Sequence, residues 1–363
     1  MRTLPRHLDH MSPRALDGIK VVEFEGLGPA PTCAMLLADF GAEVLRVSRP
    51  GYEAWADPVT GRGKGVFAAD LKDPVQLAEV RAAIALADVL IEPYRPGVME
   101  RLGLGPSDVE ASNPGLIYVR MTGWGQTGPL SQRAGHDINY IALSGALEGI
   151  GRPGEVPTPP LNLIGDMGAG AAICAFGICA ALLERVRSGR GQVIDASIAD
   201  GTAALMAMFH GMNIPLTRQD SPLGGSQPWY DCYVCADGRH VAVGALEPQF
   251  WAILVDAIGL AEHLRDRQRA EPDTIRAAMA AIFATRTRDE WAEQLMPLDA
   301  CVTPVLSIDE AREHPYAQHR SMYDQRNGVS HPAPAPRLSR SPAAISADRD
   351  GSAMLKRWAS TGR

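Results

Sequence analysis

Short β-branched runs alternate along the chain with longer stretches whose apolar residues recur at helical spacing. Residues 19–24 read as a strand. Gly26-Leu27-Gly28-Pro29 breaks it, and 29–40 places Cys33, Met35, Leu36, Leu37 and Phe40 on a helix that Gly41 closes before a strand at 42–47. The rhythm continues with a helix over 74–87, a strand at 88–91, a short helix at 106–112 and a strand at 116–121. Such alternation predicts an α/β fold with a mostly parallel sheet and ligand loops at the carboxyl ends of its strands.

A Gly/Pro-broken loop at 122–129 leads into Gly135-His136-Asp137-Ile138-Asn139-Tyr140 and the apolar run 141–150. A proline-rich connector (152–160), the stretch 162–166, an apolar helix from Met167, a strand at 192–197 and a helix over about 200–212 follow. Residues 213–228 are turn-rich and read as a linker. Beyond it, strands at 229–234 and 240–245 join through Asp237-Gly238, a hairpin signal. Helices at 248–260, 272–284 and 288–295 and a strand at 303–307 complete a small α+β domain. The expected organisation is a large Rossmann-like domain over 1–212, the linker, the small domain over 229–321, and a Pro/Ser-rich tail over 322–363. The tail reads as irregular, returning to the surface of the large domain.

Composition narrows the function classes. The 363 residues are 46 % hydrophobic and 21 % charged with a net charge of −7, ordinary for a soluble globular protein. Acidic and basic residues are interspersed, with no basic stripe for nucleic acid. Residues 167–183 carry no charge, yet fall short of the ~20 residues a bilayer span requires. Asp166 and Glu184-Arg185 bound them, so a buried helix is expected and no membrane partner. The six cysteines form no disulfide framework pattern, and no hydrophobic signal core opens the sequence. A cytoplasmic protein is expected, with a polar N-terminal arm in which Met11 is an alternative start to Met1.

Familiar motifs fail. G-x-G-x-x-G is incomplete because Pro31 stands at its third glycine. Cys232-x-x-Cys235 has no second pair, and residues three apart on a strand point to opposite faces, so no metal site is expected. Four acid/base residues remain in glycine-rich settings. His136 and Asp137 fall near a predicted helix start, where free N–H groups and the helix dipole hold developing negative charge and favour a histidine acting as a neutral base. Asp166 and Glu247 each stand where a loop or strand gives way to a helix. Residue by residue, plainer readings remain open: Asp137 or Asp166 as a helix cap, and Glu247 as the opening of the next helix.

Taken together, these stretches resemble the α-methylacyl-CoA racemases, a branch of the family III CoA-transferase superfamily. The likeness rests on Asp39-Phe-Gly-Ala-Glu-Val-Leu-Arg46, Ala69-Asp-Leu-Lys72, Tyr94-Arg-Pro-Gly97, Arg101-Leu-Gly-Leu-Gly105, the 121–129 loop, Gly135–Tyr140 and Gly165-Asp166. It implies an interlocked homodimer with its site at the junction of the two domains. It implies a racemase of lipid metabolism that inverts the α-carbon of 2-methylacyl-CoA thioesters. His136 and Asp166 are then the two acid/base groups, Glu247 orients the histidine, and the Asp137 amide stabilises the enolate. The substrate brings coenzyme A with it, and no prosthetic group is expected. Arg46, Ala69, Asp70, Leu71, Lys72, Pro93, Tyr94, Arg95, Arg101, Gly135 and Tyr140 are the implied coenzyme A contacts. The transferases of the superfamily have Gly-Phe-Asp or similar at 135–137 and use the aspartate matching Asp166 as a nucleophile. A CoA-transferase is therefore one alternative, and a non-catalytic CoA-binding scaffold another. Two departures bear on the cofactor: Pro93 lacks an N–H where the pattern has Gly or Asn, and Gly61-Arg62-Gly63-Lys64 replaces an Asn-Arg pattern. The acyl chain is not specified by the sequence.

Overall fold

A computed structural model describes residues 13–52, 57–212 and 216–361. The alternative start at Met11 and residues 213–215 of the expected linker lie outside the described residues. The chain forms two compact units. The first comprises residues 1–144, 161–205 and 321–363, and the second residues 145–160 and 206–320.

The first unit is built on a seven-stranded, wholly parallel sheet: β1 (Lys20–Phe24), β2 (Glu43–Ser48), β3 (Gly65–Ala68), β4 (Val89–Glu92), β5 (Ile117–Thr122), β6 (Gln192–Ser197) and β12 (Arg349–Asp350). Their order is β12-β3-β2-β1-β4-β5-β6. The central strands are buried on both faces, as a sheet covered by helices on both sides requires. One core joins α1 (Pro29–Asp39) and α6 (Ile173–Ser188) to the sheet through Cys33, Leu37, Cys174 and Ile178. The other joins α2 (Pro74–Leu86) through Val80 and Ile84. Short helices α3 (Val98–Arg101), α4 (Pro106–Val109) and α5 (Asp137–Leu143) fill the connections.

Three expectations need correction, and one strand was not expected at all. β3 is a strand that the Gly61–Gly65 glycines disguised. The helix expected from Met167 begins at Leu163, as a π-helical segment (Leu163–Ala172) running straight into α6. The wide turn is visible in the bond from the Met167 N–H to the Asn162 carbonyl, five residues back. Asp166 is therefore inside the helix and not its cap. The helix expected over 200–212 is two, α7 (Ile198–Leu205) and α8 (Ala207–Met212). The tail is not irregular: it forms a hairpin of β10 (Tyr323–Arg326) and β11 (Val329–Pro332), the edge strand β12, and helix α14 (Gly351–Thr361). Met354 and Trp358 of α14 are buried in the core beside α2. By length and composition the Leu163–Ser188 helix is sufficient to cross a membrane, but one of its faces packs on the sheet.

The second unit carries an antiparallel sheet of β7 (Tyr230–Val234), β8 (His240–Gly244) and β9 (Val302–Pro304). Helices α9 (Pro248–Ala257), α10 (Pro272–Phe283) and α11 (Arg288–Leu295) cover it around Trp251, Phe283 and Trp291, and two short helices, α12 (Ile308–Glu313) and α13 (Pro315–His319), follow β9. All six cysteines are free. Cys232 is exposed and Cys235 buried, the opposite faces that strand periodicity requires. Among the described residues no group of three or more His, Cys, Asp or Glu is placed to hold a metal ion.

Candidate active site

His136 is the N-cap residue of α5, extended at φ −130°, ψ 174°. Its N–H donates to the Asn139 side-chain oxygen at 3.0 Å, which satisfies the entry to the helix and leaves the exposed imidazole free of that task. Asp137 is therefore the first helical residue, and its backbone N–H has no acceptor four residues back. Its side chain is buried and does not cap the helix. The carboxylate accepts the Asp166 backbone N–H at 2.6 Å, across 29 residues of sequence.

That bond depends on Gly165. A Cβ there would stand 2.5 Å from the Asp137 Oδ2 and 2.9 Å from its Cγ, so only glycine lets the two segments close. The π-helical turn then presents the half-buried Asp166 carboxyl beside Gly28, with the Asn162 amide donating at 3.3 Å. Burial pushes the Asp166 carboxyl up from its ordinary value. The Asn162 hydrogen bond lowers it, the Asp137 charge raises it, and His136 lowers it. His136 is thus within electrostatic reach of Asp166. The structure brings His136, Asp137 and Asp166 together on two adjoining backbone segments.

Tyr140, one helical turn on from Asp137, supports this group. Its hydroxyl donates to the Gly135 carbonyl and its ring meets Trp124 edge-on at 4.8 Å. Gly123 underlies the ring so closely that a Cβ would lie 2.0 Å from it. Burial raises the Tyr140 phenol most, the Asp166 charge raises it further, the Arg95 charge lowers it, and the Asp137 charge raises it.

A cavity of about 520 Å³ opens beside Asp166 at the carboxyl ends of β1 and β2. Gly26, Leu27, Gly28, Arg46, Arg49, Lys64 and Met167 are among its lining residues. Arg46 is buried, with its Nε unpartnered among the described residues. Arg49 stacks over Tyr52 at 4.3 Å. Sequence reasoning missed Arg49; its position one residue past β2 was the available signal. Lys64 is held by Glu23 at 2.6 Å in a fully buried ion pair. Arg62 is committed to Asp39 at 2.6 Å and to the Pro332 carbonyl at 2.7 Å, so it is a structural cation.

The remaining candidates sit elsewhere in the first unit. Ala69 to Lys72 follow β3, with the exposed Asp70 accepting the Lys72 N–H. The Pro93 ring packs against Gly26, Tyr94 meets Phe24 edge-on, and Arg95 and Arg101 are exposed. None of these lines the 520 Å³ cavity. Glu247 lies in the second unit, exposed at the N-cap of α9 and near Cys301.

A buried carboxylate fixing the backbone of a second carboxyl, itself raised by burial and within electrostatic reach of a histidine, is an arrangement for moving protons, and known proteins share the chain's pattern. The family model described as CoA-transferase family III matches residues 16–349. The α-methylacyl-CoA racemase of Mus musculus is 47 % identical over 345 residues, covering 93 % of this chain and 90 % of that protein. Its counterpart from Homo sapiens is 45 % identical over the same shares. The crystal structure of a CAIB/BAIF family protein from Brucella suis superposes with a TM-score of 0.80 at 26 % identity, covering 95 % of this chain and all of that one. On these grounds the chain belongs to CoA-transferase family III.

Proposed function

We propose that this protein is an α-methylacyl-CoA racemase, working through a 1,1-proton transfer at the α-carbon of a 2-methylacyl-CoA thioester. The observation that carries the reading is the coupling of the His136 segment to Asp166 through the Asp137 carboxylate. One of the two side chains removes the α-proton, the C–H electron pair moves into the thioester carbonyl, and an enolate forms. The other returns a proton to the opposite face as the carbonyl re-forms. Both groups must alternate between acid and base, which suits a carboxyl held above its ordinary range. The Asp137 N–H at the start of α5 is the donor for the enolate oxygen, and losing such a donor typically costs ~3 kcal/mol.

Glu247 is the proposed orienter of the imidazole, and the coenzyme A portion is proposed to meet Arg46, Lys72, Arg95 and Arg101. The similarity to the racemases and the histidine at 136 favour this reading over a CoA-transferase, which needs Asp166 as a nucleophile. Incubation of a 2-methylacyl-CoA in deuterated water tests it. Deuterium at the α-carbon with loss of stereochemical purity is expected, and His136→Ala abolishes both. Transfer of CoA to an added free acid without α-exchange would establish the transferase instead.

A further inference from the structure

Charge is also buried in the first unit behind the turn formed by residues 93–97. Glu92, the last residue of β4, is fully buried. Its Oε2 accepts the Tyr94 N–H at 2.8 Å, the first donor the turn offers because Pro93 has none. Its Oε1 accepts the Arg120 Nε at 3.1 Å from β5, where the two residues are in register. Arg120 also grips Glu100 of α3, at 2.8 Å, just past the turn's other end. One guanidinium thus clamps both ends of a five-residue turn. Gln132 ties the middle of it, bonding the Pro96 carbonyl at 3.0 Å from the loop that leads into His136. The turn carries the exposed Arg95, whose charge acts on the Tyr140 phenol.

We propose that Glu92 is a positioning residue for substrate binding: through the clamp it holds Arg95 where a phosphate-bearing acyl-CoA would meet it. The inference rests on the coenzyme A part of the functional reading and not on the proton-transfer part. Glutamine at 92 keeps one acceptor oxygen for two donors, the Tyr94 N–H and the Arg120 Nε, so one of the two bonds is lost and the turn should shift.

The groups facing Glu92 are Tyr94 on its own segment, Tyr118 and Arg120 on β5, and Glu100 on α3, with Asp108 acting on Tyr118. Arg120 is the cation among them. Burial, set against the Tyr94 N–H and Arg120, pushes the Glu92 carboxyl up to about 7. As pH falls through that value the carboxylate gains a proton and its hold on Tyr94 and Arg120 weakens.

The test is titration calorimetry of coenzyme A itself, from pH 6 to 8.5, on the full chain. In Glu92→Gln the Kd should rise about tenfold at pH 8. The tightening that the wild type gains between pH 6 and 8 should shrink by the same factor. With a 2-methylacyl-CoA, KM should rise with it while kcat stays within about twofold. In an Arg95→Ala background Glu92→Gln should add almost nothing, because it acts through the removed group. Should Glu92→Gln give no cooperative melt, Glu92→Asp replaces it, with weaker binding but the pH dependence retained. An unchanged Kd and pH curve, or additive effects of the two substitutions, overturns the proposal. A wild type that binds coenzyme A but exchanges no α-proton removes the racemase reading and leaves this one standing.

Discussion

At the scale of single residues the site turns on one contact, the Asp137 carboxylate on the Asp166 N–H. Gly165→Ala would drive a Cβ into that carboxylate. A misplacement near 1 Å costs on the order of 100-fold in rate. Isotope exchange should therefore fall by about that factor while the melting temperature drops only a few degrees. Asp166→Asn makes a prediction of opposite sign for stability. Because folding raises the Asp166 carboxyl, its contribution is present below the unfolded value and lost as pH rises through the folded one. At pH 7.5 the ionised group is thus a cost. Asp166→Asn should melt on the order of a degree higher than wild type there, lose that advantage near pH 3, and be inactive; thermal melts across pH check it. His136 at a helix start was legible from the glycine-rich loop before it. The fate of the Asp137 side chain was not, because local rules offered it a cap and its true partner lies 29 residues away.

Among elements, the sequence was most legible where apolar periodicity was strong and glycine scarce. The strand at 192–197 and the helix at 288–295 fell where expected. It failed at 163–172, where Gly165, Gly168 and Gly170 weaken helical spacing, although they let the π-helical turn nest closely between α1 and α7. It failed again in the tail, where Pro332-Ala-Pro-Ala-Pro336 dominated the composition. The signal was present further on: Met354, Leu355 and Trp358 make the i, i+1, i+4 stripe of a docked helix. Trp358 is buried and its indole N–H donates to Glu43 at 2.6 Å on β2. Trp358→Ala should cost about 3–5 kcal/mol, read as a lower denaturation midpoint with an unchanged slope. A loss under 1 kcal/mol would show that α14 is peripheral to the first unit.

For the molecule as a whole, α6 raises the question of what covers its second face. Cys174, Ile178, Ala181 and Leu182 are buried in the sheet's core, while Phe176, Leu183 and Val186 are 73 %, 69 % and 82 % exposed. Beside the helix, β6 is the last strand of the sheet, and its Val193 is half exposed. A soluble chain rarely leaves an apolar helix face next to an open strand edge uncovered. The homodimer implied by the resemblance, if it forms, would give that face a partner, with roughly 1.5–3 kcal/mol available from each large side chain fully buried. Light scattering coupled to gel filtration should return twice the 38.9 kDa mass of the chain. Leu183→Glu, which removes apolar area and buries a charge at that face, should shift the population toward the single-chain mass as the protein is diluted. Each dimer half carries its own His136 and Asp166, so loss of α-proton exchange in step with loss of the dimer would show that the reaction needs the partner copy. A wild type that runs at 38.9 kDa at every concentration would leave this face to some other contact and remove the dimer from the account.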